Sequence, residues 1–400
     1  MYRISRRQFL QFAGSTLATI GFSQLNIQRQ AERYGKVLAQ RTPRKLALLV
    51  GINNYPNPLS LNGCLTDLEL QRHLLIHRFG FNPKDIYTLT DEKATRTGIL
   101  DSFEEHLIKQ AKPGDVVVYH YSGHGSRVVD PDPIFVSSSR DKNGLNGTFV
   151  PVNSGLPAGY PNQGGVVQDI MGHTLFLLMS ALQTENVTAV LDSCYSGAAT
   201  RKWKVRARDG GSNVQISPDE KSYQEQWLSR LKLSREDFVK GYQRGVAKGV
   251  VLAATDPTQT AIDARLNGFS AGAFTYLLTN YLWQQTGTPE SAIARVNQNI
   301  PKDFNQTPRY EAKVGSGYEK QPLYFINTPS PAADAVITEV KGDRATLWLG
   351  GVDLAAVDNG TVFTVINGKG KVTLQSRKGL VGEATVEGVA KEGMLLRKVG

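Results

Sequence analysis

Apolar and polar positions follow a repeated order along the first three quarters of the chain. Leu46 to Gly51 is an unbroken apolar run, the mark of a strand buried on both faces, and Asp67 to His77 then shows helical periodicity. Asp85 to Thr90 reads as a strand, Ala94 to Lys109 as a helix, and Asp115 to Tyr121 as a second apolar strand. From Arg127 to Gly165 the chain is rich in Gly, Asn and Pro and reads as an excursion between elements. A helix near Asp169 to Gln183 leads into a strand ending at Asp192, Lys248 to Ala254 gives another strand, and Ala271 to Trp283 another helix. Such alternation predicts an α/β domain with a mainly parallel central sheet flanked by helices. Ser217 to Arg244 reads as polar helices inserted between its two halves.

Beyond Pro329-Ser330-Pro331 the period changes. Val336-Ile337, Ala345 to Leu349, Thr361 to Ile366, Lys371 to Leu374, Ala384 to Val386 and Met394 to Leu396 are short β-favouring runs split by Gly, Asp and Asn turns. They predict a small all-β barrel or sandwich of about 70 residues. The expected organisation is a leader over residues 1–39, an α/β domain over 40–327 with a polar insert at about 200–247, and a β-rich domain over 328–400.

Chemistry concentrates at two strand ends. His120-Tyr-Ser-Gly-His124-Gly125 follows the apolar run Val116 to Tyr119, and Asp192-Ser-Cys194-Tyr-Ser-Gly197 follows Val187 to Leu191. In an open parallel sheet, ligands bind outside the strand C-termini, where an imidazole and a thiol on neighbouring strands would meet. The expected pair is His124 as base and Cys194 as nucleophile, with the N–H groups of Gly125 and Cys194 holding an oxyanion. A lone Cys after a strand is often only a small buried hydrophobe, and a cleft His only a satisfied polar group. The flanking Gly123, Gly125 and Gly197 favour the active reading, because they let a substrate backbone come close.

These two strings resemble the catalytic signatures of metacaspases and their prokaryotic relatives, the orthocaspases, within the caspase-like fold. The resemblance extends over residues 44–327: Lys45 to Tyr55 resembles the first strand and turn, Asn62-Gly-Cys-Leu-Thr-Asp67 a helix start, and Ala253 to Ala261 with Gly272 to Thr275 the small-subunit core. It implies a caspase-like sandwich and hydrolysis of protein or peptide substrates after Arg or Lys. It also implies a pocket for the basic side chain lined by Asp67, Ser122 and Asp192. Asp192 lies two residues before Cys194 and so points to the same side of an extended chain. Loop capping by Asp67 or Asp192 is the open alternative. Calcium-binding metacaspases use four aspartates; the corresponding positions here are Asn146, Gln168, Asp169 and Arg201, so no calcium requirement and no other cofactor is expected. His73 and His77, four apart on a helix, lack the companions of a zinc motif, and no metal site is assigned.

Charge refines this picture. The net charge is +10, of which residues 1–45 hold about +8, nine basic residues against Glu32. A basic, dispensable tail rather than a basic folded face argues against nucleic acid as a partner. Ser5-Arg6-Arg7-Gln8-Phe9-Leu10 and the mildly apolar stretch to Phe22 read as a twin-arginine export signal, too short and polar for a stable membrane span. Cleavage after Val37-Leu38-Ala39 or retention as an anchor are both open, and a bacterial periplasm or equivalent lumen is the expected location. Arg201, Arg206 and Arg208 lie in an exposed-looking basic tract just after Cys194, where an Arg/Lys-specific enzyme would find sites for self-processing; a merely solvated loop that screens the site is the alternative. Two cysteines make no disulfide framework, and Cys64 reads as a packing residue. A monomer is expected. The competing reading is a non-catalytic scaffold acting through its C-terminal β domain; a thiol redox role lacks a nearby resolving cysteine.

Overall fold

The computed structural model describes residues 43–134, 144–194, 204–208 and 213–399. The leader, its twin-arginine string, Tyr195, Gly197 and Arg201 lie outside the described residues.

The first half runs β1 (Lys45–Gly51), α1 (Cys64–His73), β2 (Ile86–Thr90), α2 (Arg96–Phe103), β3 (Val116–Ser122), β4 (Gly125–Val129), β5 (Leu145–Phe149), β6 (Gly165–Val167), β7 (Ile170–Met171), α3 (Gly172–Ala181) and β8 (Asn186–Asp192). The second half adds β9 (Val214–Ile216), α4 (Pro218–Leu231), α5 (Arg235–Gln243), β10 (Val250–Ala253), β11 (Asp263–Leu266), β12 (Phe269–Gly272), α6 (Ala273–Gln284), α7 (Pro289–Asn299) and β13 (Arg309–Ala312). Then follow β14 (Ala335–Lys341), β15 (Arg344–Trp348), β16 (Val362–Val365), β17 (Lys371–Lys378), β18 (Val381–Glu387) and β19 (Leu395–Lys398).

The central sheet has the order β13-β10-β8-β3-β1-β2. All its pairings are parallel except the antiparallel edge strand β13. The inner strands β1, β3 and β8 are buried on both faces because both faces are covered, while the edge strands β2 and β13 are partly exposed. Leu46, Leu48 and Val50 of β1 join a core with residues of α2, α3, α4 and α5, while Ala47 and Leu49 join one with α1, α6 and α7. Cys64, at the start of α1, is fully buried and free.

The stretch from Arg127 to Gly165 is not an irregular excursion. It holds β5 and parts of β4 and β6, which with β7 and β9 form a second, five-stranded sheet ordered β6-β9-β4-β5-β7. These strands are two to five residues long, too short to display alternation, and their pairing is set by distant partners. The helix expected near Asp169 begins only at Gly172, since Ile170 and Met171 are drawn into register with Phe149 and Thr148. Likewise the helix expected from Ala271 starts at Ala273, because Ala271 and Gly272 complete the β11–β12 hairpin.

The six C-terminal strands close into an antiparallel barrel ordered β14-β15-β18-β17-β16-β19. Its apolar interior is continuous with the core under α6, for Leu278, Leu282 and Trp283 pack in one cluster with Val336, Leu347 and Leu349. Gln284 ties the junction by donating to Ala333 O at 3.1 Å and Asp334 Oδ1 at 2.7 Å. A shared core predicts one cooperative unfolding transition, lowered by about 3–5 kcal/mol in Trp283→Ala, which removes a fully buried ring. Calorimetry showing separate barrel and α/β transitions would contradict it.

Candidate active site

β3 and β8 are neighbours in parallel register, with Ser122 opposite Asp192 at their C-terminal ends. His124 and Cys194 each lie two residues past those ends, and both are buried. Gly125 must be glycine here, because a Cβ would sit 2.3 Å from Cys194 O.

Backbone and ring of His124 are both held. Tyr55 Oη accepts from His124 N at 3.0 Å, and Tyr121 Oη donates to His124 O at 2.9 Å. The ring Nε2 lies 2.6 Å from Leu59 O. A carbonyl oxygen only accepts, so Nε2 carries the proton and Nδ1 presents a lone pair. Nδ1 has no hydrogen-bond partner among the described residues, so the imidazole is not bonded to the thiol. Burial draws His124 down to about 4 and pushes the Cys194 thiol up to about 12. In this closed arrangement both groups are neutral at neutral pH.

The closure comes from the chain itself. Segment 204–208 lies across the strand ends, pairing on one side with β11 and the residues before it. Asp263 N donates to Lys204 O at 2.9 Å, and Arg206 N donates to Ala261 O at 2.9 Å. Gly125 N and Cys194 N, the two expected oxyanion donors, converge on a single acceptor, Arg206 O, at 3.0 and 3.2 Å.

The Arg206 side chain enters a fully buried acidic pocket. Its Nη1 is 2.7 Å from Asp67 Oδ2 and 3.1 Å from Asp192 Oδ1, and its Nη2 is 3.0 Å from Asp263 Oδ1. Nη1 also donates to Ser122 Oγ at 2.7 Å, while Ser122 Oγ donates to Asp67 Oδ2 at 2.6 Å. Each carboxylate is anchored from the protein side: Gly272 N donates to Asp67, Thr275 N and Oγ1 to Asp192, and Asn62 N and Gly63 N to Asp263. A Cβ on Gly272 would lie 2.1 Å from Asp192 Oδ2 and 2.6 Å from Arg206 Nη1, so that glycine keeps the pocket open. Burial raises Asp67 to about 7, with Arg206 pulling it back and Asp192 pushing it further. Burial also opposes the charge of Arg206, but Asp192 and Asp67 outweigh it and hold the guanidinium protonated.

The structure thus brings together Asp67, Ser122, Asp192, Gly125 and Cys194 around Arg206. Arg206 and Arg208 are both buried rather than exposed as their basic tract suggests, because carboxylates draw each guanidinium inward, and Arg208 does not enter this pocket. It points to Asp169, 2.7 Å away. Three participants escaped sequence reasoning: Asp263, the Leu59 carbonyl and the Tyr55 hydroxyl. Asp263 meets Asn62 across 201 positions, a separation that leaves no local signal. Of the positions matching calcium ligands, Asn146 bonds His173 and Asp130, Gln168 is half-buried, and Asp169 already serves Arg208. This donor set does not fit a hard cation. His73 and His77 stack on each other, and His73 stacks on Trp348.

A family model described as the caspase domain matches residues 44–319. Metacaspase-1 of Meyerozyma guilliermondii is 30% identical over 326 residues, 71% of this chain and 74% of that protein. Metacaspase-1 of Kluyveromyces lactis is 25% identical over 313 residues, 70% of this chain and 68% of that protein. Metacaspase-1 of Scheffersomyces stipitis is 28% identical over 262 residues, 58% of this chain and 61% of the relative's length. With that match over most of its α/β body, the chain belongs to the caspase-domain cysteine peptidases and is metacaspase-like.

Proposed function

We propose that this protein is an endopeptidase that cleaves after Arg or Lys through Cys194 and His124, and that its first substrate is its own Arg206–Ala207 bond. One observation carries the reading: the Arg206 carbonyl oxygen lies between the amides of Gly125 and Cys194 while its guanidinium fills the acidic pocket. A scaffold role accounts for neither contact.

In the proposed reaction His124 Nδ1 takes the Cys194 proton and the sulfur bonds to the Arg206 carbonyl carbon. The two amides hold the oxyanion. Collapse breaks the bond to Ala207 N, which takes the proton from His124. Water then adds to the thioester, releasing a carboxylate at Arg206 and the thiol. The Leu59 carbonyl keeps Nε2 protonated and so fixes the tautomer that can act as base.

Preference for a basic side chain follows from charge. Three carboxylates surround the one guanidinium, and removing it leaves buried negative charge uncompensated, a change on the order of 3–5 kcal/mol for a buried pair. A substrate aspartate would add a fourth carboxylate instead. Export by the twin-arginine route is part of the proposal and rests on the Ser5 to Leu10 string.

Purified protein should therefore become two chains, the second beginning at Ala207 by N-terminal sequencing. Cys194→Ala and Arg206→Gln should stay whole at this bond, and Arg206→Lys should still be cut. Cleavage confined to other bonds, or an unchanged pattern in Arg206→Gln, would refute self-processing there. On fluorogenic peptides the processed enzyme should turn over Arg and Lys but not Asp.

The pocket also sets a pH dependence. Asp67 lies at about 7 with a guanidinium beside it, so it lies higher when the pocket is empty, and binding a cation releases a proton. The Ki of agmatine, a small guanidinium probe, should thus fall as pH rises from about 6 to about 8. Asp67→Asn should weaken binding and flatten the profile; an unchanged slope in that variant would remove Asp67 from the pocket's titration. Replacing Arg6 and Arg7 by Lys should abolish recovery in the exported fraction of the native host; full export of that variant would defeat the twin-arginine assignment.

A further inference from the structure

A second buried guanidinium lies on the far side of the Arg206–Ala207 bond. Arg208 is 1% exposed, and its Nη2 donates to Asp169 Oδ2 at 2.7 Å. Its Nη1 donates to Ser154 O at 2.7 Å and reaches Ser154 Oγ at 3.3 Å. Asp169 is fully buried and fixed from behind, accepting from Thr148 Oγ1 and Ser154 Oγ, both at 2.6 Å. The backbone is docked too, with Arg208 N donating to Gly125 O at 2.8 Å. Gly125 therefore grips the chain on both sides of the bond, its N–H on Arg206 and its carbonyl on Arg208.

We propose that Asp169, Ser154 and Thr148 form a specificity pocket for a basic side chain two residues beyond the cleaved bond, so that the enzyme selects segments of the form Arg/Lys-x-Arg/Lys. The inference rests on the reading of Arg206 as the residue preceding the cleaved bond. The pocket has a charge stoichiometry of its own: one carboxylate meets one guanidinium, with a carbonyl and a hydroxyl completing the fork. Left without a cation, Asp169 is a buried carboxylate facing only neutral donors, and burial already raises its pKa even with Arg208 present. A neutral or acidic side chain at this position forfeits the pairing and leaves those polar groups unmatched, which is the condition for strong rejection. Self-processing uses both pockets at once, since Arg206 and Arg208 are seated in them together on either side of Ala207.

The test is a set of internally quenched peptides identical through Arg-Ala and differing only in the next residue, Arg, Lys, Gln or Glu, hydrolysed by the processed full chain. The expected result is a kcat/KM for Arg and Lys at least about tenfold above Gln, with Glu lowest, and a collapse of that spread in Asp169→Asn. In the intact protein, Arg208→Gln should slow cleavage after Arg206 and Arg208→Lys should restore it. Equal turnover of all four peptides after Arg overturns this pocket and leaves the Arg206 reading standing. Turnover of none overturns both. The wild-type series decides the matter even if Asp169→Asn does not fold.

Discussion

A guanidinium with no access to solvent must be met by carboxylates, and carboxylates with no access to solvent must be met by a cation. At the C-terminal ends of β3 and β8 these two demands meet in Arg206, and much of the local architecture serves that meeting. Asp67 is delivered by the first turn of α1, Asp192 by the last residue of β8, and Asp263 by the first residue of β11. Each acid is restrained by backbone amides from an element other than its own: the Gly272 amide for Asp67, the α6 amide of Thr275 for Asp192, and the turn before α1 for Asp263. The result is a site whose acids are preorganised and whose single unmet requirement is positive charge.

The same occupancy explains the quiet state of the dyad. A thiol at about 12 beside an imidazole at about 4 will not exchange a proton readily, and in both cases burial is the leading cause. Segment 204–208 supplies part of that burial. It lies against the Gly125 and Cys194 amides, so water and the segment exclude each other there. The first cut, made within the occupied site, should therefore be slow, and release of the segment after it would hydrate both groups and bring their proton affinities toward each other for later substrates.

Much of this was legible in the chain before any coordinates. The central strands could be read because burial on both faces makes them continuous apolar runs, and the six barrel strands because Gly, Asp and Asn turns punctuate them. His124 and Cys194 could be placed at strand ends by position alone, whereas the basic tract after Cys194 reads as exposed and its Arg206 and Arg208 are buried. The second sheet could not be read, since β6 and β7 have only three and two residues and owe their existence to partners elsewhere. Nor could Leu59, which contributes a carbonyl and so a function any residue type could supply. Arg206 and Arg208 looked equivalent in a basic tract; only the fold separates them into different pockets by a single intervening alanine.

Helix α6 begins beside the acidic pocket, with Gly272 and Thr275 holding Asp67 and Asp192, and ends at the barrel, with Trp283 and Gln284 in the junction. It is one uninterrupted rod of 12 residues, about 18 Å at 1.5 Å per residue. Adding or removing one residue would turn one end by about 100° relative to the other, so pocket floor and barrel junction could not both keep their partners. The length of α6 is therefore a gauge that both ends must share, and the barrel is built to the same measure as the pocket.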